Sequence, residues 1–504
     1  MSEPIKYRGL EKKEIEALEA RGCGADDWTK VIVSDPFDAR RFRNATFSGT
    51  VKIAAQNGRV KTDNGIEKDC GIYNAVIINS SIGRLTRIAN IGSHIANYDI
   101  ADNVIIENVG VMETHAGSTF GNGIEVEALN EGGGREVPIF NKLDSQFAYM
   151  LCVHRFRPDV VKALKAIAAA EAKKAAADRG TVGSGASIVS VKEIVDVAIG
   201  AGADISGAAS LVDGTILSHP NAPAKIGTDV VAHHFILGEA SKIDSGAVVD
   251  KVFIGQGCDV SRQYSAENCL FFANSHVMHG EAVALFGGPY TVSHHKSTLL
   301  IAAMTSFYNA GSGTNQSNHM YKLGPVHEGK IERGGKTGSF SYMMWDGAVA
   351  PFSVILGKHK GPFDSSDFPF SHVMLDELGK TTIVPGMNLM TVGTIRDGAK
   401  WPARDKRAEG FKRDRLTFDV FSPFTIGKLI KSSALLSELS ESTDKNVKTI
   451  FRKGIHISRP LLRTGVKYYR TGIDMYLIGK IVERLKTAKS LADARKAFAA
   501  DNDA

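Results

Sequence analysis

Aliphatic residues return at every sixth position through the middle of the chain. Ile199, Ile205, Leu211 and Leu217 head the segments IGAGAD, ISGAAS, LVDGTI and LSHPNA. After an offset, Ile226 heads IGTDVV, Ile243 and Val249 repeat the spacing, and Ile254 and Val260 follow. A strand returns to one face every second residue and a helix every 3.6, so neither sustains a recurrence at six. A three-sided coil does. One aliphatic side chain per side points inward, and small residues such as Ala203, Ala209, Ala247 and Cys258 fit near the corners. Gly or Asn takes positive φ where a corner needs it. Such coils stack about 4.8 Å apart through parallel ladder hydrogen bonds, and only the stack buries the interior.

Weaker copies flank this block. Ile82 and Ile88 are six apart, as are Ile100 and Ile106, Val349 and Ile355, and Ile383 and Leu389. The pattern predicts a parallel β-helix over 72–398, preceded by a mixed region over 1–71 with a short helix from Glu11 to Arg21. Two segments interrupt it. Residues 157–180 read as a helix, with Pro158 in its first turn, an alanine-rich interior and Gly180 as its stop. This helix is expected to be a surface arm, an oligomer clasp or a wall over a neighbouring site. Residues 271–330 read as an irregular, histidine-rich segment. From 399 to 504 the six-residue spacing disappears. Helical periodicity marks Ile426 to Leu439, Asp444 to Lys453 and Asp474 to Leu491, with breaks at 440–444 and 465–472.

Composition adds to this picture at three points. Glycine, at 51 of 504 residues, exceeds the usual share of ~7% without any Gly-X-Y period, which suits many tight corners and excludes collagen. Five cysteines without a C-x-x-C pair argue for a reducing compartment and against a disulfide frame or a cysteine zinc site. The charged N-terminus lacks the apolar core of a signal peptide, and no stretch approaches ~18 apolar residues. These features predict a cytoplasmic protein without a membrane span. The net charge of +6 is uneven: 23 basic and 12 acidic residues from Lys400 onward leave +11, against −5 before it. No helix-turn-helix, zinc-finger or RNA-binding signature accompanies the basic end, so nucleic acid is not an expected partner.

The run from Ile199 to Val260 resembles the hexapeptide-repeat superfamily, which implies a left-handed parallel β-helix and a homotrimer. The whole chain also resembles a bacterial family known as a domain of unknown function, a likeness that supplies no chemistry. In hexapeptide-repeat acyltransferases, the resemblance implies a general-base histidine in a cleft between subunits. That histidine takes a proton from a hydroxyl or amine as it attacks a thioester. Acyl-CoA is then the expected co-substrate, and a sugar or sugar nucleotide the expected acceptor.

Candidate chemistry concentrates in 271–330, which holds six of the 15 histidines. Imidazole suits proton transfer because its ordinary pKa lies near neutrality. His294 is the first choice for the base and His279 the second. His276, His295, Asn315, Asn318, His319 and His327 are expected to bind substrate. Trp401 and Arg404, in the run WPARDKR, could stack on and neutralise a phosphate. The superfamily also includes zinc carbonic anhydrases. His276 and His279 form an H-x-x-H, but no two histidines here are separated by the four residues that enzyme needs, so no metal is expected. A third reading is a non-catalytic scaffold or regulatory protein. No nucleotidyltransferase domain precedes the coils, and no P-loop or dinucleotide fingerprint appears.

Overall fold

A computed structural model describes residues 5–62, 65–319, 326–487, 489–493 and 495. The chain is mainly β and winds as a parallel β-solenoid with several helices. The helices are α1 (Lys12–Glu19), α2 (Ser145–Val153), α3 (Pro158–Ala175), α4 (Val392–Lys400), α5 (Pro423–Ser442) and α6 (Arg459–Thr487). Two units divide the molecule: Met1–Met304 with Asp405–Leu416, and Thr305–Arg404 with Thr417–Ala504.

In the first unit each coil has three strand positions, and each position builds its own ladder. Ile188, Ile205, Ile226, Ile243, Val260 and Val277 pair in register on the first side. Ile194, Leu211, Ala232 and Val249 do so on the second, and Ile199, Ile216, Leu237, Ile254 and Phe271 on the third. All of these side chains are buried. The steps along the chain are therefore six, five and six residues, 17 per coil, except that Ile216 to Ile226 takes ten. This corrects the uniform step of six: Ile216, not Leu217, faces inward, and Leu217 packs outside the coil. The coils also begin earlier than residue 72, since Phe42 and Phe47 already pair with Ile72 and Ile77.

The corners carry side-chain chemistry of their own. Asn44, Asn74, Asn90 and Asn108 all sit at positive φ, stacked on successive coils. Each amide donates to the next side-chain oxygen, at 3.0, 2.8 and 3.2 Å. Asparagine tolerates the left-handed region and joins its neighbours there. Asn90→Ala loses both the ladder bonds and this tolerance, and is expected to cost about 2 kcal/mol. Asn90→Gly, which keeps the backbone freedom, is expected to cost about half as much. Urea denaturation midpoints of the two variants check the difference.

Residues 114–179 leave the coil stack as one excursion rather than a lone helix. It contains a hairpin (Glu125–Glu127 with Glu136–Pro138), α2 and α3. Its Val126, Val137, Ile139, Leu151, Leu164 and Ala168 bury the outer surface of the third coil side, where Ile236, Phe253, Leu270 and Phe286 point outward. That sheet is apolar on both faces, as a covered parallel sheet should be. The excursion is thus a wall over its own coils. Its helix ends at Ala175. Gly180, expected as the helix stop, instead opens the next strand, in register with Tyr98.

The histidine-rich segment is not irregular. Strands at His276–Met278, Glu281–Val283, Val292–Ser293 and Leu299–Ile301 continue the ladders. Residues 320–325 lie outside the described set.

In the second unit Gln316, Met343 and His359 form one ladder and Thr337, Ile355 and Val373 another. An antiparallel turn, His372–Leu375 with Thr381–Val384, ends the ladder, and a hairpin of Thr449–Arg452 with Ile455–Ser458 adds to it. The helix expected over 444–453 is instead a turn followed by the strand Thr449–Arg452. Gly465 and Gly472, expected as a break, lie inside α6. A Cβ there would come within 2.6 Å of Leu436 and 3.1 Å of Leu429, so both glycines let α6 approach α5 closely.

Candidate functional site

His276 lies on the outer face of the first coil side, in a column of charged residues set by the register of the coils. Asp204, Lys225, Lys242, Asp259 and His276 occupy successive coils in register. Lys225 pairs with Asp204 at 3.3 Å and Lys242 with Asp259 at 3.3 Å. His276 ends this column of charges, and its ring centroid lies 6.0 Å from that of His294.

A segment from far along the chain docks at the corner beside this column. Residues 405–416 return to the first unit and are gripped by buried polar side chains at one corner. Asn274 donates to Asp405 and accepts from the Lys406 amide, both at 2.9 Å. Gln256 accepts from the Arg413 amide at 2.9 Å, and the Arg413 guanidinium holds both oxygens of Glu239 at 2.6 Å. Asp414 accepts from the amides of Ser145 and Ala273. Burial alone would raise the Asp405 carboxyl, but hydrogen bonds from Arg407 and Asn274 bring it down to about 2.

The strap puts Lys406 close enough to act on His276. Burial first, then the Lys406 charge, lower the imidazole pKa to about 4, against the opposing pull of Asp259 and a hydrogen bond to the Gly257 backbone. At neutral pH this ring is uncharged. The ring stands one coil on from Asp259, in register with it, and within reach of the Lys406 charge. A neutral imidazole in this position can accept a proton, and the nearby cation can meet a negative charge that develops beside it.

The other expected residues are dispersed. His294 is exposed beside His276, His295 is exposed further along the same turn, and His279 sits at a corner with φ of 58°. In the second unit, Asn315 belongs to a coil strand. Asn318 is buried and its carbonyl accepts from the His327 amide at 2.7 Å, while His319 bridges to Val326. Trp401 is buried against Phe307, with ring centroids 4.5 Å apart, and is core rather than a stacking platform; Arg404 is exposed.

Three features were not singled out from the sequence. Asp259 stands one coil period before His276, and the 17-residue spacing would have located it. Lys406 reaches the site only through the returning strap, which no local pattern reveals. Ser210 Oγ bonds to both Glu193, at 2.7 Å, and His233 Nε2, at 3.0 Å, on adjacent coils. Here the carboxylate contacts the hydroxyl rather than the imidazole, so the trio lacks the order that activates a serine.

Among the described residues, no group of three His, Cys, Asp or Glu side chains is placed to hold a metal ion. No described helix is long and apolar enough to cross a membrane. All five cysteines are buried and free.

The profile of a family described as Domain of unknown function (DUF4954) matches residues 7–440. The chain belongs to this family. A protein of Treponema pallidum (strain Nichols), described as an uncharacterized protein, is 27% identical over 493 residues. That alignment covers 94% of this chain and 67% of the relative. The DUF4954 match spans the coils of both units, the 114–179 excursion, the strap and nearly all of α5, so His276 and Lys406 both fall within it.

Proposed function

We propose that this chain is an acyltransferase of the hexapeptide-repeat type, its solenoid a left-handed β-helix working as a homotrimer. The acyl group passes from a CoA or carrier thioester to a hydroxyl or amine of a sugar or sugar nucleotide. His276, rather than His294 or His279, is the general base. One observation carries the reading: a part-buried histidine in register with Asp259, its pKa held down by burial and by the Lys406 charge. Its free nitrogen takes the acceptor proton as the acceptor oxygen or nitrogen attacks the thioester carbonyl. The carbon–sulfur bond then breaks, and the proton passes to the departing thiolate. Lys406 attracts the oxyanion or a phosphate of the acceptor.

The low pKa gives this base a signature. An ordinary histidine base, with a pKa near 6.5, loses about 25-fold in kcat/KM between pH 7 and pH 5. With a pKa of about 4, His276 stays unprotonated over that range, so the profile is expected to be flat down to pH 5. Acetyl-CoA or a longer acyl-CoA should raise the melting temperature. His276→Ala should lower turnover about 10²–10⁴-fold without changing the melting temperature of the free protein. A panel of thioesters that produces neither stabilisation nor turnover would refute the proposal.

One observation favours a second reading, that of an assembly platform. The outer half of α6 exposes Met475, Leu477, Ile478, Ile481 and Leu485, each more than 40% accessible. Partner proteins co-purifying with the full chain, together with silent thioester assays, would support the platform.

A further inference from the structure

A groove of about 420 Å³ lies in the first unit, far along the sequence from His276, beside the asparagine ladder. Its charges do not balance. Arg59 and Arg41 share the carboxylates of Glu67 and Asp69, with Arg59 to Glu67 and Arg41 to Asp69 both at 3.0 Å. Lys68 and Arg87 share the single carboxylate of Glu107. The Arg21 guanidinium is held by backbone carbonyls, of Phe42 at 2.8 Å and Arg40 at 3.2 Å, and meets no carboxylate among the described residues. Arg43 is exposed and has no hydrogen-bonding or ionic partner among the described residues. Five cations (Arg21, Arg43, Arg59, Lys68 and Arg87) thus line the concavity with two anions, Glu67 and Asp69.

The groove also presents neutral donors. Asn74 and Asn90 line it, and each spends one amide N–H on the ladder, which leaves a second N–H for a ligand. Tyr73 lines it too, with the Arg87 guanidinium 5.1 Å from the centre of its ring, so that the arginine is held in place. Arginine forks match phosphate oxygens in pairs, and amide donors suit hydroxyl oxygens. The volume falls within the range of small-molecule sites, about 300–1,000 Å³.

We propose that this groove binds a phosphate monoester of sugar size, with Arg43 and Arg21 on the phosphate and Asn74 and Asn90 on the hydroxyls. This site stands on geometry separate from His276 and holds whether or not that histidine is a base. The test is calorimetric titration of the full chain with glucose 1-phosphate, inorganic phosphate and glucose, repeated at raised salt. Glucose 1-phosphate should bind, inorganic phosphate should bind more weakly and glucose should not bind. Affinity should fall with salt. Arg43→Glu should weaken binding at least tenfold while leaving the melting temperature of the free protein unchanged, and Arg43→Lys should retain part of the affinity. No binding at millimolar phosphate ester, equal binding by Arg43→Glu, or binding confined to anionic phospholipid vesicles or to heparin would each overturn the proposal.

Discussion

Asp414→Ala is expected to lower the stability of the first unit by about 2–6 kcal/mol, because it strands two buried backbone donors at about 1–3 kcal/mol each. Asp414 is 6% exposed. One oxygen accepts the Ser145 amide at 2.6 Å, at the first residue of α2. The other accepts the Ala273 amide at 2.9 Å, in the coil beside Asn274. A single side chain thus joins the strap, the excursion and the coil stack. Asp414→Asn keeps one acceptor but turns an N–H toward the second amide, and should fall between wild type and alanine. Hydrogen exchange gives the site-specific readout: the amides of Ser145 and Ala273 should lose protection before neighbouring strands do. Unchanged protection at both amides would refute the account.

The same residue predicts a dependence on pH. Burial raises the Asp414 carboxyl above its ordinary 3.8, with the two amides opposing. The folded chain therefore binds this proton more tightly than the unfolded chain, and the contribution of this group to stability declines as pH rises above 3.8. Asp414→Asn should remove that decline. Because the strap also places Lys406 beside His276, strap-loosening variants should move the His276 pKa back toward 6.5 and restore an acidic limb to the rate profile.

How far the fold could be read from the residues depended on what faces inward. Ile199, Ile205 and Leu211 are large and aliphatic, stand on three successive sides, and gave an unmistakable period. The corner before Ile216 takes one residue fewer, and Leu217 was a plausible substitute because the outer surface there is also covered. Runs such as Phe235-Ile236-Leu237 and Val252-Phe253-Ile254 carry that information, since three consecutive buried residues mean a strand covered on both faces. Beyond Phe271 the inward positions include Ala282, Gly287 and Ser293, so the hydrophobic signal faded while the ladders continued. Gly465 and Gly472 look the same in sequence whether they break a helix or let two helices meet. The site divides in the same way. Asp259 and His276 are joined by the coil period, whereas Lys406 arrives from 130 residues away through polar contacts that leave no periodic trace.

A second large effect is expected where an aromatic ring in one coil occupies the space left by a glycine in the next. Tyr98 is fully buried, donates to the Val197 carbonyl at 2.9 Å, and pairs in register with Gly180. A Cβ on Gly180 would stand 2.3 Å from the ring and 2.4 Å from Thr114 Oγ1. Phe235 stacks on Gly214 in the same way, with a Cβ 2.2 Å from the ring. Neither glycine has positive φ, so the penalty is one of volume rather than backbone strain. Gly180→Ala and Gly214→Ala should each cost about 1–3 kcal/mol, the usual range for overpacking, with more at Gly180 if Tyr98 loses its hydrogen bond. A double-mutant cycle separates volume from other causes. Tyr98→Val alone should destabilise by opening a cavity, but combined with Gly180→Ala it should cost less than the sum, because the new methyl enters the vacated space. Strict additivity across the cycle would show that the ring and the glycine are not fitted to one another, and that the coil interior tolerates bulk at this step.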